Sequence, residues 1–137
     1  MVLPRPRTDG TLPPGQHSIA DLSDLFVAFP ATSARRQILN AALTRLVEVV
    51  RDLALGTSLV IDGSYTTGKP EPEDVDVAML STGADETVTL QRLQVEGVDL
   101  NLLEVFVLTT QPGFERWVRF FSTDRTGQAR GVVLLAI

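Results

Sequence analysis

Apolar residues recur at helical spacing twice in the first half of the chain. The first repeat runs from Leu22 to Phe29 and stops at Pro30, which cannot continue a helix. Ser18 and Asp21 precede this repeat with a pattern that resembles a capping box. We therefore predict a short helix that begins close to Ser18.

A longer helix is predicted between Ser33 and Gly56. Ser33 is a typical N-cap residue, and Gly56 lies where the glycine after a helix is expected. The apolar residues between them fall on one stripe of a helix, which would face the core. The stripe consists of Ile38, Leu39, Ala42, Leu43, Leu46, Val47, Val50 and Leu53.

The second half of the chain shows mostly strand patterns. Short apolar or alternating segments at 58–61, 75–79 and 132–137 are typical of strands, and 98–108 is expected to form one long strand. Two helical segments interrupt them. Residues 85–94 fit a short helix or an irregular excursion, and a helix is expected to begin at Pro112. Its predicted core residues are Phe114, Trp117, Val118 and Phe121.

These elements predict an α/β or α+β fold, with a mixed β-sheet flanked by helices. The length of 137 residues suits one domain. Residues 1–16 hold four of the eight prolines and are expected to form an extended N-terminal arm, which leaves 17–137 as the domain.

Composition excludes several classes of protein. The chain has no cysteine and one histidine, which excludes a disulfide scaffold, thiolate catalysis and a multi-histidine metal site. Its longest apolar runs are far shorter than the roughly 20 residues of a membrane span, and no secretory signal is recognisable. We expect a cytoplasmic protein without membrane contacts.

The net charge of −5 is concentrated in one window. Residues 62–76 contain five acidic side chains and one lysine, Lys69, so this window carries −4. Proteins that grip long nucleic acids usually present a basic face, so the sequence disfavours such a partner except for an RNA end.

The order of residues in this acidic window suggests a metal site. A short strand leads into Gly63-Ser64, and nine residues later Asp74 and Asp76 alternate in another strand. Side chains at i and i+2 of a strand share a face about 6.6 Å apart, so both carboxylates can reach ions that bind substrate phosphates. Mg²⁺ or Mn²⁺ would suit such oxygen ligands. Gly63 would allow close approach to a phosphate, and Ser64 offers a hydroxyl and an amide.

A third carboxylate is expected on a neighbouring strand, and the candidates are Asp99 and Glu104. They would face opposite sides of a regular strand, so only one can join the site. Glu104 is favoured because it lies on an otherwise apolar face, where an acid needs a partner or a metal.

The spacing of Gly63-Ser64 and Asp74-x-Asp76 resembles the signature of the DNA polymerase β-like nucleotidyltransferases, especially the minimal ones. Nearly the whole chain is similar to an uncharacterised family of small bacterial and phage proteins. The motifs shared with that family are Leu12-Pro13-Pro14-Gly15-x-His17, Asp62-Gly63-Ser64 with Thr67 and Lys69, Pro72-x-Asp74-x-Asp76, and Phe120-Phe121-x-Thr123-Asp124-Arg125-x-Gly127.

The resemblance implies a nucleotidyltransferase-like mixed sheet and transfer of a nucleoside monophosphate from a nucleoside triphosphate. It implies that Asp74 and Asp76 bind Mg²⁺ and that Gly63 and Ser64 contact phosphate. The third acid of the superfamily falls on Glu104, where relatives carry aspartate. Lys69 either neutralises the acidic loop or reaches the triphosphate.

The other polar candidates have more ordinary interpretations. Asp62 is expected to accept hydrogen bonds in a turn or helix cap, and His17 to make a structural hydrogen bond. Arg125 and Arg130 flank a predicted turn, where surface salt bridges are favoured over phosphate or partner binding.

Two classes of function remain open at this point. The first is an enzyme that modifies a protein, a small molecule or an RNA end, and minimal members of the superfamily suggest a toxin–antitoxin or phage-defence role by analogy. The second is a binding module that keeps the fold, has lost turnover and acts through a partner protein. The small size fits this module or a homo-oligomer, in which the arm could cross to a second copy.

Overall fold

The computed structural model describes residues 3–137, which form a five-stranded sheet and four α-helices. In chain order the elements are β1 (Gly15–Ile19), α1 (Leu22–Ala28), α2 (Ala34–Asp52), β2 (Gly56–Asp62), β3 (Val75–Ser81), α3 (Glu86–Val95), β4 (Leu103–Leu108), α4 (Gln111–Phe121) and β5 (Gly131–Ala136).

The strands lie in the order β1-β5-β2-β3-β4. β1 is parallel to β5 and β3 is parallel to β4, whereas β2 runs antiparallel to both of its neighbours. The predicted mixed sheet flanked by helices is therefore confirmed.

The two faces of the sheet carry two hydrophobic cores, because successive strand side chains point to opposite faces. The larger core lies under α1, α2 and α3, and includes Leu25, Leu43 and Leu93. The smaller core lies under α4 and includes Phe114 and Val118. The candidate site described below lies on the face with the smaller core.

Helix α2 begins as expected but ends differently. The Ser33 side chain accepts a hydrogen bond from the backbone amide of Arg36, which confirms Ser33 as the N-cap. The expected role of Gly56 is wrong, because Ala54 takes the left-handed conformation (φ 51°) and Gly56 already belongs to β2. Ile38 is 50% exposed and does not join the core stripe.

The start of α1 also differs from the expectation. Ser18 lies in β1, a strand that the sequence pattern did not predict, and pairs with Leu134 of β5. The N-cap of α1 is Asp21, whose carboxylate accepts a hydrogen bond from the backbone amide of Ser23 at 2.7 Å. The helix begins after Asp21 and not near Ser18 because aspartate is a favourable N-cap residue, and because Ser18 is already paired with β5 in the sheet.

The long strand expected over 98–108 is half as long in the structure. Within this segment the strand is limited to β4, and residues 98–102 form a turn that the Asp99 side chain stabilises. The region of 85–94 is helical, since Asp85 caps α3, and Pro112 lies in the first turn of α4 as expected.

The described part of the N-terminal arm packs against the domain. Leu3 and Leu12 are buried in the larger core, while Gln16 at the end of the expected arm already belongs to β1. Gly10 has φ 84°, and its backbone lies directly against that of Gly68. Met1 and Val2 of the expected arm lie outside the described residues.

No helix within residues 3–137 has the length and hydropathy that crossing a bilayer requires. The longest of them, α2, has 19 residues but carries charged side chains along its length.

Candidate functional site

Three acidic side chains lie side by side on three adjacent strands, β2, β3 and the edge strand β4, near one end of each strand. Asp62 at the end of β2 is the antiparallel partner of Asp76 in β3, and Asp76 is the parallel partner of Glu104 in β4. Residues paired in register share a face of the sheet. We call Asp62, Asp76 and Glu104 the carboxylate row, and it lies on the face that α4 covers.

Asp74 joins this row from the loop that leads into β3. Asp74, Asp76 and Glu104 each offer a carboxylate oxygen, and these three oxygens lie within 4.8 Å of one another. Asp74 and Asp76 are half-buried and Glu104 is exposed, so the group is open on one side. Three convergent carboxylate oxygens are the kind of donor set that hard divalent cations such as Mg²⁺ or Mn²⁺ take.

The two candidates for the third carboxylate are separated by their positions. Glu104 lies with the aspartate pair. Asp99 lies in the turn before β4, where its side chain accepts hydrogen bonds from the backbone amides of Asn101 (2.9 Å) and Leu102 (3.3 Å). The preference for Glu104 agrees with this placement, but its basis does not fully hold, because Asp99 lies in a turn and not on the opposite face of a regular strand.

The carboxylates strongly affect one another's protonation. Burial raises the pKa of Asp76 most, the negative charges of Asp74, Glu104 and Asp62 add to this effect, and together they bring the pKa to about 7. Burial also raises the pKa of Asp62, Arg130 opposes this effect, and the result is a pKa of about 6. Like charges at this spacing disfavour full ionisation, and a bound cation would remove that penalty.

Gly63 brings the backbone close to this group. It has φ 91° and precedes a 3₁₀ turn at Ser64–Thr66. A Cβ at Gly63 would lie 2.9 Å from Oδ2 of Asp76, closer than carbon atoms normally approach. Glycine is therefore required here both by the backbone angle and by the proximity of Asp76. Ser64 begins the turn beside it, half-buried.

Asp62 has a different role from the other three acids. Nη2 of Arg130, just before β5, donates a hydrogen bond to Oδ2 of Asp62 in an ion pair whose side chains are 18% and 1% exposed, respectively. Arg130 also donates from Nε to the carbonyl of Phe121 at 3.2 Å. The expected surface salt bridge of Arg130 is thus mostly buried, and the main partner of Asp62 is a side chain, not a turn or cap amide.

Arg125, the other arginine of that region, forms none of the salt bridges found within residues 3–137, so the surface salt bridge expected for it is not observed there. It is exposed in the turn between Thr123 and Ala129, which pair as an isolated bridge. Asp124 organises this turn by accepting from the amides of Thr126 and Gln128. The turn therefore explains Thr123 and Asp124 of the Thr-Asp-Arg motif.

The loop that carries Lys69 is held by a residue the sequence analysis missed. Arg36 of α2 is buried and donates to the carbonyl oxygens of Tyr65 (3.0 Å), Thr67 (2.9 Å) and Lys69 (2.7 Å). Its guanidinium also lies 5.2 Å from the centre of the Tyr65 ring. The Lys69 residue is exposed. One signal was available, because Arg36 falls three residues before Leu39 on the apolar stripe, where a charged residue needs partners.

Further contacts from the start of α2 hold the part of this loop that lies nearer to Asp74 in the sequence. Ser33 donates from its hydroxyl to the carbonyl of Pro70 (2.8 Å), and Arg35 donates to the carbonyl oxygens of Pro72 (3.1 Å) and Glu73. The backbone immediately before Asp74 is thus fixed to a helix end and not left to solvent.

The motif around His17 has a structural explanation. Nε2 of His17 lies 2.7 Å from the carbonyl oxygen of Pro13, as a structural hydrogen bond requires. A Cβ at Gly131 would overlap this carbonyl and contact the His17 ring, so glycine allows the N-terminal segment to pack against β5.

Comparison with known protein families matches a family model over residues 4–136. The chain belongs to DUF6932, a family of unknown function. No curated protein and no solved structure matches it. The matched residues include the carboxylate row, Asp74, Gly63-Ser64 and the helices that position them, so the whole candidate site lies within the family's shared region.

Proposed function

We propose that this protein is a metal-dependent nucleotidyltransferase, which transfers a nucleoside monophosphate from a nucleoside triphosphate to an acceptor hydroxyl. The observation that carries the proposal is the convergence of Asp74, Asp76 and Glu104 beside the Gly63-Ser64 bend. The resemblance to DNA polymerase β-like nucleotidyltransferases, drawn from the spacing of the same residues, supports it independently of the contacts.

The donor set fits Mg²⁺ or Mn²⁺. Asp74, Asp76 and Glu104 would hold the ion or ions through oxygen atoms, and the exposed side of the group leaves room for substrate phosphates. When bound, such ions supply neutralisation of phosphate charge and activation of the attacking hydroxyl.

The remaining residues of the site bind and orient. Gly63 and Ser64 would place a backbone amide and a hydroxyl at the triphosphate, on the same side as the carboxylates. Lys69 would add a positive charge, which Arg36 positions by fixing the carbonyl groups of the loop. Arg130 neutralises Asp62 and so keeps the fourth acid from adding its full charge to the site.

The acceptor is proposed to be a protein side chain, a small molecule or an RNA end. A net charge of −5 disfavours a long nucleic acid acceptor. A protein acceptor would suit a toxin–antitoxin or phage-defence system in the cytoplasm, by analogy with minimal nucleotidyltransferases.

Thermal-shift titration tests the site. We expect each nucleoside triphosphate to raise the melting temperature only when Mg²⁺ or Mn²⁺ is present. Asp74→Asn, Asp76→Asn and Glu104→Gln should abolish this metal-dependent shift. Glu73→Gln is the matched control, because it removes one exposed negative charge from the same loop, outside the convergent group.

A transfer assay then separates an enzyme from a binding module. Incubation with α-labelled nucleoside triphosphate and a lysate should release pyrophosphate and label an acceptor, and Asp76→Asn should label none. Metal-dependent binding without pyrophosphate release would instead support the catalytically inactive module. A chain indifferent to both metal and nucleotide would contradict the proposal.

A further inference from the structure

The C-terminal half of α4 carries a stack of aromatic side chains. The rings of Phe106 and Trp117 are stacked, with centroids 4.2 Å apart and planes 22° from parallel. Phe120 meets Trp117 edge to face at 5.3 Å. We call Phe106, Trp117 and Phe120 the aromatic platform. It extends from the sheet surface outward to solvent.

The outer member of this platform is unusually exposed. The chain has eight aromatic residues, all within residues 3–137, and Phe120 is the one that is exposed, at 68%. Its neighbour Phe121 is buried in the smaller core, so core packing explains the second phenylalanine of the pair but not the first. A single exposed apolar residue is ordinary, but here the exposed ring continues into Trp117 and Phe106, and contiguous apolar patches mark binding surfaces.

The platform adjoins the carboxylate row. Phe106 and Glu104 point to the same face of β4 two residues apart, which is about 6.6 Å along the strand. The end of α4 is also tied to the row, since Arg130 bonds both Asp62 and the carbonyl of Phe121. One continuous surface therefore leads from the metal-binding acids to the exposed rings.

We propose that Trp117 and Phe120 bind the nucleobase of the nucleotide by stacking. The inference rests on the proposed function, because it uses the carboxylate row and the Gly63-Ser64 bend as the position of the phosphates. Aromatic side chains bind bases through their ring faces, which all four bases possess. Exposed Arg116 lies one helical turn before Phe120 and adds a cationic side chain beside the platform.

Stacking also predicts the kind of nucleotide selectivity. Purines present a larger ring face than pyrimidines, so ATP and GTP should bind more tightly than CTP and UTP. ATP and GTP should differ little from each other, because stacking does not distinguish their hydrogen-bonding edges.

Trp117 is the one tryptophan of the chain, and it provides a direct readout. Its fluorescence would be titrated with a non-hydrolysable ATP analogue and Mg²⁺, and in parallel with Mg²⁺ and tripolyphosphate, which lacks a base. We expect the ATP analogue to quench Trp117 and to bind more tightly than tripolyphosphate. Melting-temperature shifts would follow tripolyphosphate binding independently of fluorescence.

Variants of Phe120 identify the contribution of the platform. Phe120→Ala should weaken binding of the ATP analogue roughly 5- to 150-fold, as the loss of one base–aromatic stack predicts, and leave tripolyphosphate binding unchanged. Phe120→Tyr should restore binding because it keeps the ring. Val95→Ala is the control, since Val95 is an exposed apolar residue on α3, at the other face of the sheet.

The possible outcomes separate the two proposals. The platform proposal is wrong if the parent chain and Phe120→Ala bind the ATP analogue with equal affinity and Trp117 is not quenched. In that case, metal-dependent binding of tripolyphosphate would still support the proposed phosphate and metal site. Failure of both the analogue and tripolyphosphate overturns the proposed function and the platform with it. If size-exclusion chromatography shows that Phe120→Ala dissociates an oligomer, the patch is an interface between copies and the stacking proposal is wrong.

Discussion

Arg130 and Asp62 form a mostly buried ion pair that joins the start of β5 to the end of β2. The pair lies at one end of the carboxylate row, where Asp62 is the register partner of Asp76. Four acids would otherwise gather in a small region without a cationic side chain. This single arginine therefore links the stability of the sheet to the charge of the candidate site.

Removal of Arg130 should be costly. Arg130→Ala leaves Asp62 buried and without its cationic partner, and such changes destabilise proteins by about 3–5 kcal/mol. Asp62→Asn should cost less, because the neutral amide needs no counter-charge. Urea unfolding measures both variants. If Asp62→Asn proved the more damaging change, the pair would not be compensating a buried charge.

Stability should fall as the pH rises through the acid range. The pKa of Asp76 is about 7 in the folded state, against an ordinary value of 3.8. Between these values the folded chain holds a proton that the unfolded chain has released, so the free energy of unfolding decreases with pH and levels off above pH ~7. Asp62, with a pKa of about 6, acts in the same direction.

Asp76→Asn tests this pH dependence. The variant should gain about 1–2 kcal/mol in the free energy of unfolding over the parent chain at neutral pH, and this gain should vanish at acid pH. It is smaller than the whole pKa shift would give, because Asp76 is half-exposed and solvent screens its charge. Asp124→Asn should act oppositely, since hydrogen bonds from Thr126 lower the pKa of Asp124 and favour its ionised form. Chemical denaturation at several pH values compares them, and a slope unchanged in Asp76→Asn would refute the assignment.

Arg36 should control the order of the loop before β3. Arg36→Met leaves three carbonyl groups without their donor, and we expect a loss of about 2–4 kcal/mol in the free energy of unfolding. Amide hydrogen exchange should increase most over residues 64–69. Arg92→Met, at an exposed position of α3, is the control and should change neither measurement by much.

The contact between Gly10 and Gly68 should respond asymmetrically to alanine. A Cβ at Gly10 would overlap the backbone of Gly68 and occupy a left-handed conformation, whereas a Cβ at Gly68 would only reach Gly10 Cα at 3.4 Å. We expect Gly10→Ala to cost at least ~2 kcal/mol and Gly68→Ala less than ~1 kcal/mol. Melting temperatures of the two variants give the comparison, and equal losses would mean that the segment does not pack as described.

Local patterns predicted the elements that bury a regular apolar face. The stripe of α2 and the alternation of β3 are examples, because their periodicity is visible within a few residues. β1 was missed for the opposite reason. Its segment, Gly15–Ile19, contains one buried apolar residue, Ile19, and becomes a strand only through pairing with β5, more than a hundred residues away.

The candidate site shows the same division. The spacing of Asp74 and Asp76 singled them out, and the apolar face of β4 favoured Glu104 over Asp99. The partnership of Asp62 with Arg130 was not predictable, because it depends on which strands are neighbours in the sheet. Arg36 could be found only by asking why an arginine occupies an apolar stripe.

The position of β5 has a consequence for how the chain acquires its structure during synthesis. Although it follows the other four strands in chain order, it lies between β1 and β2 and pairs with both. Until it emerges, β1 has no strand to join and one edge of β2 stays open to other chains. The N-terminal segment must therefore wait for the final strand, so that completion of the sheet and arrival of Arg130 beside Asp62 occur together.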